Sequence, residues 1–166
     1  MAGERIPNGK QMVESVPVLV ETEGLWLRRH RLVQAGHVLG ELAFAFGPQA
    51  SFSAAAGQRA SMRRVSLWRA DYRLWIDGVE MGQAGRAAGQ RDMTVRFAGR
   101  SYLLQPRRRA LGEWMLLDAA GATVARLQPG GLARAPVITP EAPLDVHLLA
   151  FVYFLVVLRW RAARRL

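Results

Sequence analysis

The sequence predicts a mainly β domain that ends in one apolar helix. From Val16 onward the chain consists of short apolar runs separated by glycines. Alternating apolar and polar positions, with many β-branched and aromatic residues, favour strands over helices. Between residues 16 and 139, no stretch keeps a 3.6-residue apolar period over three helical turns. A chain of 166 residues is long enough for one domain, and ten to twelve short strands in one barrel or sandwich fit that length.

The N-terminal segment has a different composition from the rest of the chain. Residues 1–14 are polar and contain no apolar run of the kind found in secretory signals, so we expect a polar lead-in. Residues 15–166 are expected to form a single domain. The chain has no cysteine, which excludes disulfides, thiolate nucleophiles and cysteine metal sites. This composition suits a reducing compartment, and the sequence predicts a cytoplasmic protein.

Six short runs carry the clearest strand signals. They lie at residues 16–20, 25–27, 38–46, 93–97, 101–104 and 114–117. A weak internal repeat, in the pattern strand, turn glycine, return strand, covers residues 31–40, 73–82 and 115–125. The turn glycines are Gly36, Gly78 and Gly121, and the return strands carry the small residues Gly40, Gly82 and Ala125. Asp77-Gly78 is a favoured pair for a type I′ hairpin, and the small residues predict a bulge or a close packing point.

The C-terminal segment predicts a helix from residue 144 to residue 161. Pro143 before it, Asp145 in its first turn and the arginines at its end suit the helix dipole. The segment is apolar around its circumference, so it must be buried on every side, in protein or in lipid. The uninterrupted apolar run from Leu148 to Leu158 covers roughly 16 Å, which is shorter than a hydrocarbon core of about 30 Å. A protein-buried helix is therefore favoured over a membrane tail anchor, while an interfacial helix lacks the polar face it needs.

Hairpins followed by an all-round apolar C-terminal helix resemble the tubby-like fold, shared by tubby, phospholipid scramblases and the LURP-one-related proteins. The resemblance rests on residues 74–78, residues 114–125 and the helix from Leu144, and it is closest to small bacterial LURP-one-related (scramblase-like) proteins. It implies a closed antiparallel β-barrel of 10–12 short strands around a central C-terminal helix. It also implies a non-catalytic binding or scaffold module that contacts anionic lipid headgroups. The cysteine clusters, proline-rich lead and calcium-binding segment of scramblases are not visible here, so lipid scrambling is not implied.

The charge of the chain suggests an anionic partner. The formal net charge is +10, and Lys10 is the only lysine among 23 basic residues. Arginine binds phosphates and carboxylates bidentately, although a GC-rich coding sequence would also enrich arginine. Shorter basic runs occur at residues 28–31 and 63–64. The candidate phosphate-contact residues are Arg107, Arg108, Arg109, Arg159, Arg161, Arg164 and Arg165. The first three are expected at the tip of a hairpin loop, where the alternative is a solvated loop without a ligand.

No motif in the sequence predicts catalysis. His30, His37 and His147 lie far apart, and the glycine-rich stretch 82–89 lacks the lysine and following helix of a phosphate-binding loop. We therefore expect no enzyme, no catalytic residue, no metal and no cofactor. The expected partners are an anionic membrane surface, which would make the protein peripheral to the membrane, or another protein.

Two other functional classes stay open at this stage. The first is a tail-anchored membrane protein with a small cytosolic β-domain. The second is a basic nucleic-acid-binding β-domain, which would need aromatic stacking platforms on one exposed sheet face. Trp68, Tyr72 and Trp75 lie among Arg69 and Arg73, an arrangement that permits such a platform without requiring it.

Overall fold

The computed structural model describes residues 10–23, 28–108, 112–131 and 134–165. Within these ranges the chain forms fourteen strands followed by one helix. The strands are β1 (Met12–Val13), β2 (Val18–Glu23), β3 (Arg29–Gln34), β4 (His37–Phe44), β5 (Gln49–Ala54), β6 (Arg59–Arg64), β7 (Ala70–Ile76), β8 (Val79–Arg86), β9 (Met93–Phe97), β10 (Arg100–Arg108), β11 (Glu113–Leu117), β12 (Thr123–Gln128), β13 (Val137–Pro140) and β14 (Leu144–Asp145). The helix, α1, is Val146–Arg164.

Twelve of these strands, β2 to β13, close into one barrel. Each pairs with the next along the chain, β13 pairs with β2 to complete the circle, and every pairing is antiparallel. Closure leaves the barrel without an open sheet edge. The expected mainly β fold, a closed antiparallel barrel around a C-terminal helix, is confirmed, with the strand number at the upper end of the predicted range.

The helix fills the barrel. Inward and outward side chains alternate along the strands, as in β9, where Met93, Val95 and Phe97 are buried and Thr94 and Arg96 are exposed. Barrels wider than about eight strands leave interior space that wall side chains alone do not fill. Residues 146 to 157 of α1 occupy that space and are all buried. This arrangement explains why the helix is apolar around its circumference.

The internal repeat corresponds to three hairpins of the barrel wall, β3–β4, β7–β8 and β11–β12. Gly36, Gly78 and Gly121 all have positive φ, and Asp77 also has positive φ, as a type I′ turn requires. Within each hairpin a buried leucine faces the small residue, and the register shifts immediately afterwards. The three pairs are Leu32 with Gly40, Leu74 with Gly82 and Leu116 with Ala125. The small residues therefore mark bulges, as the sequence pattern predicts.

The chain differs from the sequence-based expectation at both ends of the predicted domain. The helix begins at Val146 rather than residue 144, because Leu144 and Asp145 pair with Val13 and Met12 as strands β14 and β1. It ends at Arg164, three residues beyond the predicted end. The last residues of the expected lead-in thus belong to the fold, with Val13 completely buried. Two adjacent apolar residues in a polar segment are too weak a signal to reveal such a short strand.

The up-and-down order of the strands places alternate turns at opposite ends of the barrel. We call one end the closed end: it carries the turns at 35–36, 55–58, 77–78, 98–99 and 118–122 and the N-terminus of α1. There the Gln11 carbonyl oxygen accepts a hydrogen bond from the Val146 N–H, and the Gln11 side chain donates to the Leu39 carbonyl oxygen. We call the other end the basic end: it carries the loops at 45–48, 65–69 and 87–92 and the C-terminus of α1.

Candidate functional site

An open groove of about 1200 Å³ surrounds the last turns of α1 at the basic end. Strands β2, β3, β4, β6 and β7, the loop at 45–48 and the segment around Gly130 supply its other walls. Glu21 is the one carboxylate among its described lining residues. We call the seven arginines that line it the groove arginines: Arg28, Arg64, Arg134, Arg159, Arg161, Arg164 and Arg165. Arginines distant in sequence therefore meet here because the meander returns every second loop to the same end.

Aromatic side chains form the inner wall of the groove and close the barrel interior beneath it. The Tyr153 hydroxyl lies 2.7 Å from Nδ1 of buried His30. The Phe44 and Phe154 rings stack with centroids 6.0 Å apart. The Trp160 indole N–H donates to the Gly112 carbonyl oxygen at 2.7 Å, which ties the helix end to the β10–β11 connection. These contacts hold the C-terminal turns of α1 in a fixed position relative to the wall.

Two groove arginines are partly buried among other positive charges. Burial lowers the pKa of Arg159, and the nearby charge of Arg86 lowers it further. Burial also lowers the pKa of Arg161. The positive charges of Arg165, Arg164 and Arg28 lower it further. The Arg161 guanidinium lies over the Phe44 ring, 4.3 Å from its centroid, a cation–π contact that offsets part of the cost of burial. Mutual repulsion of this kind is relieved when an anion binds between the cations.

Several arginines elsewhere on the barrel wall lie beside carboxylates. Arg31 lies near Glu21 and Glu23, Arg73 near Asp71 and Glu80, and Arg126 near Glu141. None of the groove arginines has a carboxylate oxygen within 4.0 Å among the residues that the structure describes. The basic end therefore concentrates seven arginines in one groove, whereas some of the wall arginines lie in ion pairs.

The predicted phosphate-contact residues divide into two groups. The four on the helix, Arg159, Arg161, Arg164 and Arg165, all belong to the groove. Arg107 and Arg108 lie at the end of β10 rather than in a loop, and Arg107 donates to Glu113 at 3.3 Å, which uses its charge within the fold. Arg109 lies outside the described residues. The structure thus brings the helix group together and shows Arg107 engaged elsewhere.

Sequence reasoning missed part of the groove. Arg28 and Arg64 stand in short basic runs, but nothing in the sequence places them beside the helix, and Arg134 stands alone. Counting loops would have found all three, since a meander returns every second connection to one end. The sequence therefore places these three arginines beside the helix only if the barrel topology is already assumed.

The aromatic residues considered for nucleic-acid stacking do not form one exposed sheet face. Tyr72 faces the barrel interior, where its ring meets Phe154 edge-on. Trp75 lies on the outer wall with the Arg63 guanidinium 4.9 Å from its ring centroid. Trp68 lies in the loop at 65–69. The described part of the chain holds no group of three or more His, Cys, Asp or Glu residues that could bind a metal ion.

The fold and the groove define a closed up-and-down β-barrel with an internal helix and an arginine-lined end. No protein-family model and no curated protein match this chain. Among solved structures, it is similar to the X-ray structure of the Arabidopsis thaliana protein AT5G01750, with a TM-score of 0.58 and 11% sequence identity. The match covers 86% of this chain and 91% of that one. At this identity the likeness concerns the fold alone.

Proposed function

We propose that this protein is a non-catalytic, tubby-like binding module that holds anionic lipid headgroups at the basic end of its barrel. The observation that carries the proposal is the convergence of seven arginines on one groove whose described lining includes a single carboxylate. That carboxylate, Glu21, lies near Arg31 on the wall. The ligand class that this charge pattern fits is a phosphate or a carboxylate on a surface that can approach the end of the barrel.

Arginine favours phosphate ligands over simple counterions for geometric reasons. Its planar guanidinium presents several N–H donors that can engage two oxygens of one phosphate group. Arg164 and Arg165 are exposed and Arg161 is partly exposed, so their donors can reach a ligand without unfolding. The floor beneath them is fixed by the Tyr153 and Trp160 hydrogen bonds, which limits the conformational entropy lost on binding.

A membrane tail anchor is a weaker proposal. By length and composition α1 is the one described helix that could cross a bilayer, but 67% of its most apolar window is buried in the fold. Insertion into lipid would require removing residues 146 to 157 from the barrel and exposing its whole interior. Peripheral contact through the basic end requires no such rearrangement.

The proposal is tested by sedimentation with vesicles of phosphatidylcholine mixed with phosphatidylserine, against vesicles of phosphatidylcholine alone. We expect binding only to the mixed vesicles, weakening as salt rises, because exposed charges are screened. The double variant Arg164→Gln/Arg165→Gln removes two charges from the groove. Each basic side chain near an anionic surface contributes about 1 kcal/mol, so its affinity should fall roughly 30-fold.

The matched control is Arg59→Gln/Arg100→Gln, which removes the same net charge from the closed end, where both arginines are exposed. Its affinity should stay within about threefold of the unaltered protein, since its charges lie more than a Debye length from the docked surface. Equal losses in both variants would show that net charge, and not the groove, drives binding. No binding of the unaltered protein to mixed vesicles would contradict the proposal itself.

A further inference from the structure

Three large apolar side chains project from the basic end in addition to its arginines. Phe46 is 85% exposed, Leu67 is 89% exposed and Trp68 is 94% exposed. The other exposed large apolar residues are each at most 60% exposed and include Val38 and Val79 beside turns of the closed end. The most exposed apolar side chains among the described residues therefore lie at the same end as the groove arginines.

We propose that Phe46, Leu67 and Trp68 insert into the interfacial layer of an anionic bilayer, so that the barrel docks end-on with its basic end against the membrane. The inference rests on the proposed function, because it takes the anionic membrane as the ligand, and adds the groups that enter it. Tryptophan and phenylalanine suit this layer because their rings bury apolar area, and the tryptophan N–H keeps a polar partner.

The two loops that carry these residues are neighbours and are linked. The loop at 45–48 joins β4 to β5, the loop at 65–69 joins β6 to β7, and β5 and β6 are paired. The Arg64 N–H donates to the Pro48 carbonyl oxygen at 3.0 Å, which connects one loop to the other. The three apolar side chains thus belong to one contiguous part of the basic end.

Hydrogen bonds hold both loops in shape without covering their apolar side chains. The Arg64 guanidinium donates to the carbonyl oxygens of Arg69 at 3.1 Å and Leu67 at 3.2 Å. The Gln49 side chain donates to the Phe46 carbonyl oxygen at 3.0 Å. A loop that is ordered before docking loses less entropy when it docks. Leu67 and Trp68 are therefore exposed to solvent on a loop that hydrogen bonds hold in one conformation.

Charge complementarity selects a bilayer as the occupant of this surface. The Arg28 guanidinium lies 5.7 Å from the Phe46 ring centroid, so a cation and an apolar ring stand side by side at the loop tip. The lipid interface offers phosphates at one depth and acyl chains just below, which matches cations beside protruding rings. A flat nucleic-acid or protein surface would leave the apolar tips without an apolar environment to enter.

The test compares Leu67→Gln/Trp68→Gln with the matched control Val38→Gln/Val79→Gln on vesicles of phosphatidylcholine mixed with phosphatidylserine. The first variant should bind at least about tenfold more weakly, because burial of an apolar side chain of this size contributes more than about 1.4 kcal/mol. The control should bind as the unaltered protein does. Affinity for inositol hexakisphosphate, a soluble anion that offers no apolar layer, should be equal in all three proteins.

Equal vesicle affinity of the two variants would overturn the insertion and leave the proposed function standing. Loss of inositol hexakisphosphate affinity in Leu67→Gln/Trp68→Gln would also overturn it, by showing that the loop supports the groove. If the unaltered protein does not bind the mixed vesicles, both proposals fall.

A second measurement uses brominated phosphatidylcholine, which should quench tryptophan fluorescence in the unaltered protein more than in Trp68→Phe, a variant that keeps an apolar ring. Equal quenching would contradict insertion.

Discussion

The two ends of the barrel surround the helix in different ways. At the closed end, tight turns, the β1–β14 pair and the Gln11 hydrogen bonds cover the N-terminus of α1. At the basic end, longer loops leave a groove around the C-terminus of the same helix. A single helix thus contributes core packing over its first twelve residues and unpaired charge over its last turns. Substitutions toward the closed end should change stability, while substitutions at the rim of the basic end should change binding.

The largest effect should come from the enclosed part of the helix. Phe151 is fully buried inside the barrel, so Phe151→Ala should lower the free energy of unfolding by about 3–5 kcal/mol. Leu158, nearer the basic end, is only partly buried, and Leu158→Ala should cost less than half as much. Chemical denaturation followed by circular dichroism measures both. Equal losses would mean that the helix is enclosed at both ends alike.

Gly40 tests how closely the wall packs at the first bulge. A Cβ there would meet the Phe52 ring, and the Ser53 carbonyl oxygen at 2.7 Å. Gly40→Ala should therefore cost about 1–3 kcal/mol, the usual range for overpacking. The control is Gly85→Ala in β8, toward the basic end, where the nearest atom would be 3.9 Å away and the effect should be close to zero. Thermal melts that rank the two variants the other way would contradict this account of the repeat.

Tyr153 should make the core sensitive to high pH. Burial raises the pKa of its hydroxyl above its usual value of about 10. Because the folded state holds this proton more tightly than the unfolded chain does, its contribution is complete below pH about 10 and is lost as the pH rises further. Tyr153→Phe removes the hydrogen bond to His30 and should cost about 1–1.5 kcal/mol near neutral pH.

The same variant should also lose less stability than the unaltered protein between pH about 9 and 11. Melting temperatures collected across that range provide the measurement. Parallel pH profiles for the two proteins would exclude Tyr153 as the source of the alkaline sensitivity.

Asp145 caps the helix at the closed end. Its side chain accepts a hydrogen bond from the His147 N–H at 2.8 Å, so Asp145→Ala should cost about 1 kcal/mol. Burial alone would raise the pKa of Asp145, but hydrogen bonds from the His147 side chain and backbone outweigh it and lower the pKa. A lowered pKa contributes stability above the unfolded value of about 3.9, which is lost as the pH falls through the folded value. Removing the carboxylate should therefore flatten the acid side of the stability profile.

The smallest change in stability is expected at the basic end. Arg164→Gln/Arg165→Gln alters exposed side chains that form no ion pair within the described part of the chain, so unfolding free energy should stay within about 0.5 kcal/mol. A larger loss, seen in the same denaturation experiments, would mean that these arginines support the fold and would complicate their use in vesicle assays.

How far the sequence predicts this molecule depends on how each element is stabilised. The alternation of apolar and polar residues at 93–97 predicts β9 correctly. The apolar residues on every side of the C-terminal segment predict that the helix is buried. Strands β5 and β6 are not predicted from the sequence. Their inward positions include Ala50, Ala54 and Ala60, whose small side chains give a weak apolar pattern. The groove could be predicted only in part, since its helix arginines are contiguous in sequence and its wall arginines are brought together by topology.

The orientation of the barrel on the membrane can be tested directly because the chain contains no cysteine. Ala45→Cys and Ala55→Cys each place a label in an exposed hairpin loop, the first at the basic end and the second at the closed end. With an environment-sensitive dye on each, mixed phosphatidylcholine and phosphatidylserine vesicles should shift the emission of the Ala45→Cys label to the blue and leave the Ala55→Cys label unchanged. A blue shift at position 55, or equal responses at both positions, would contradict the account.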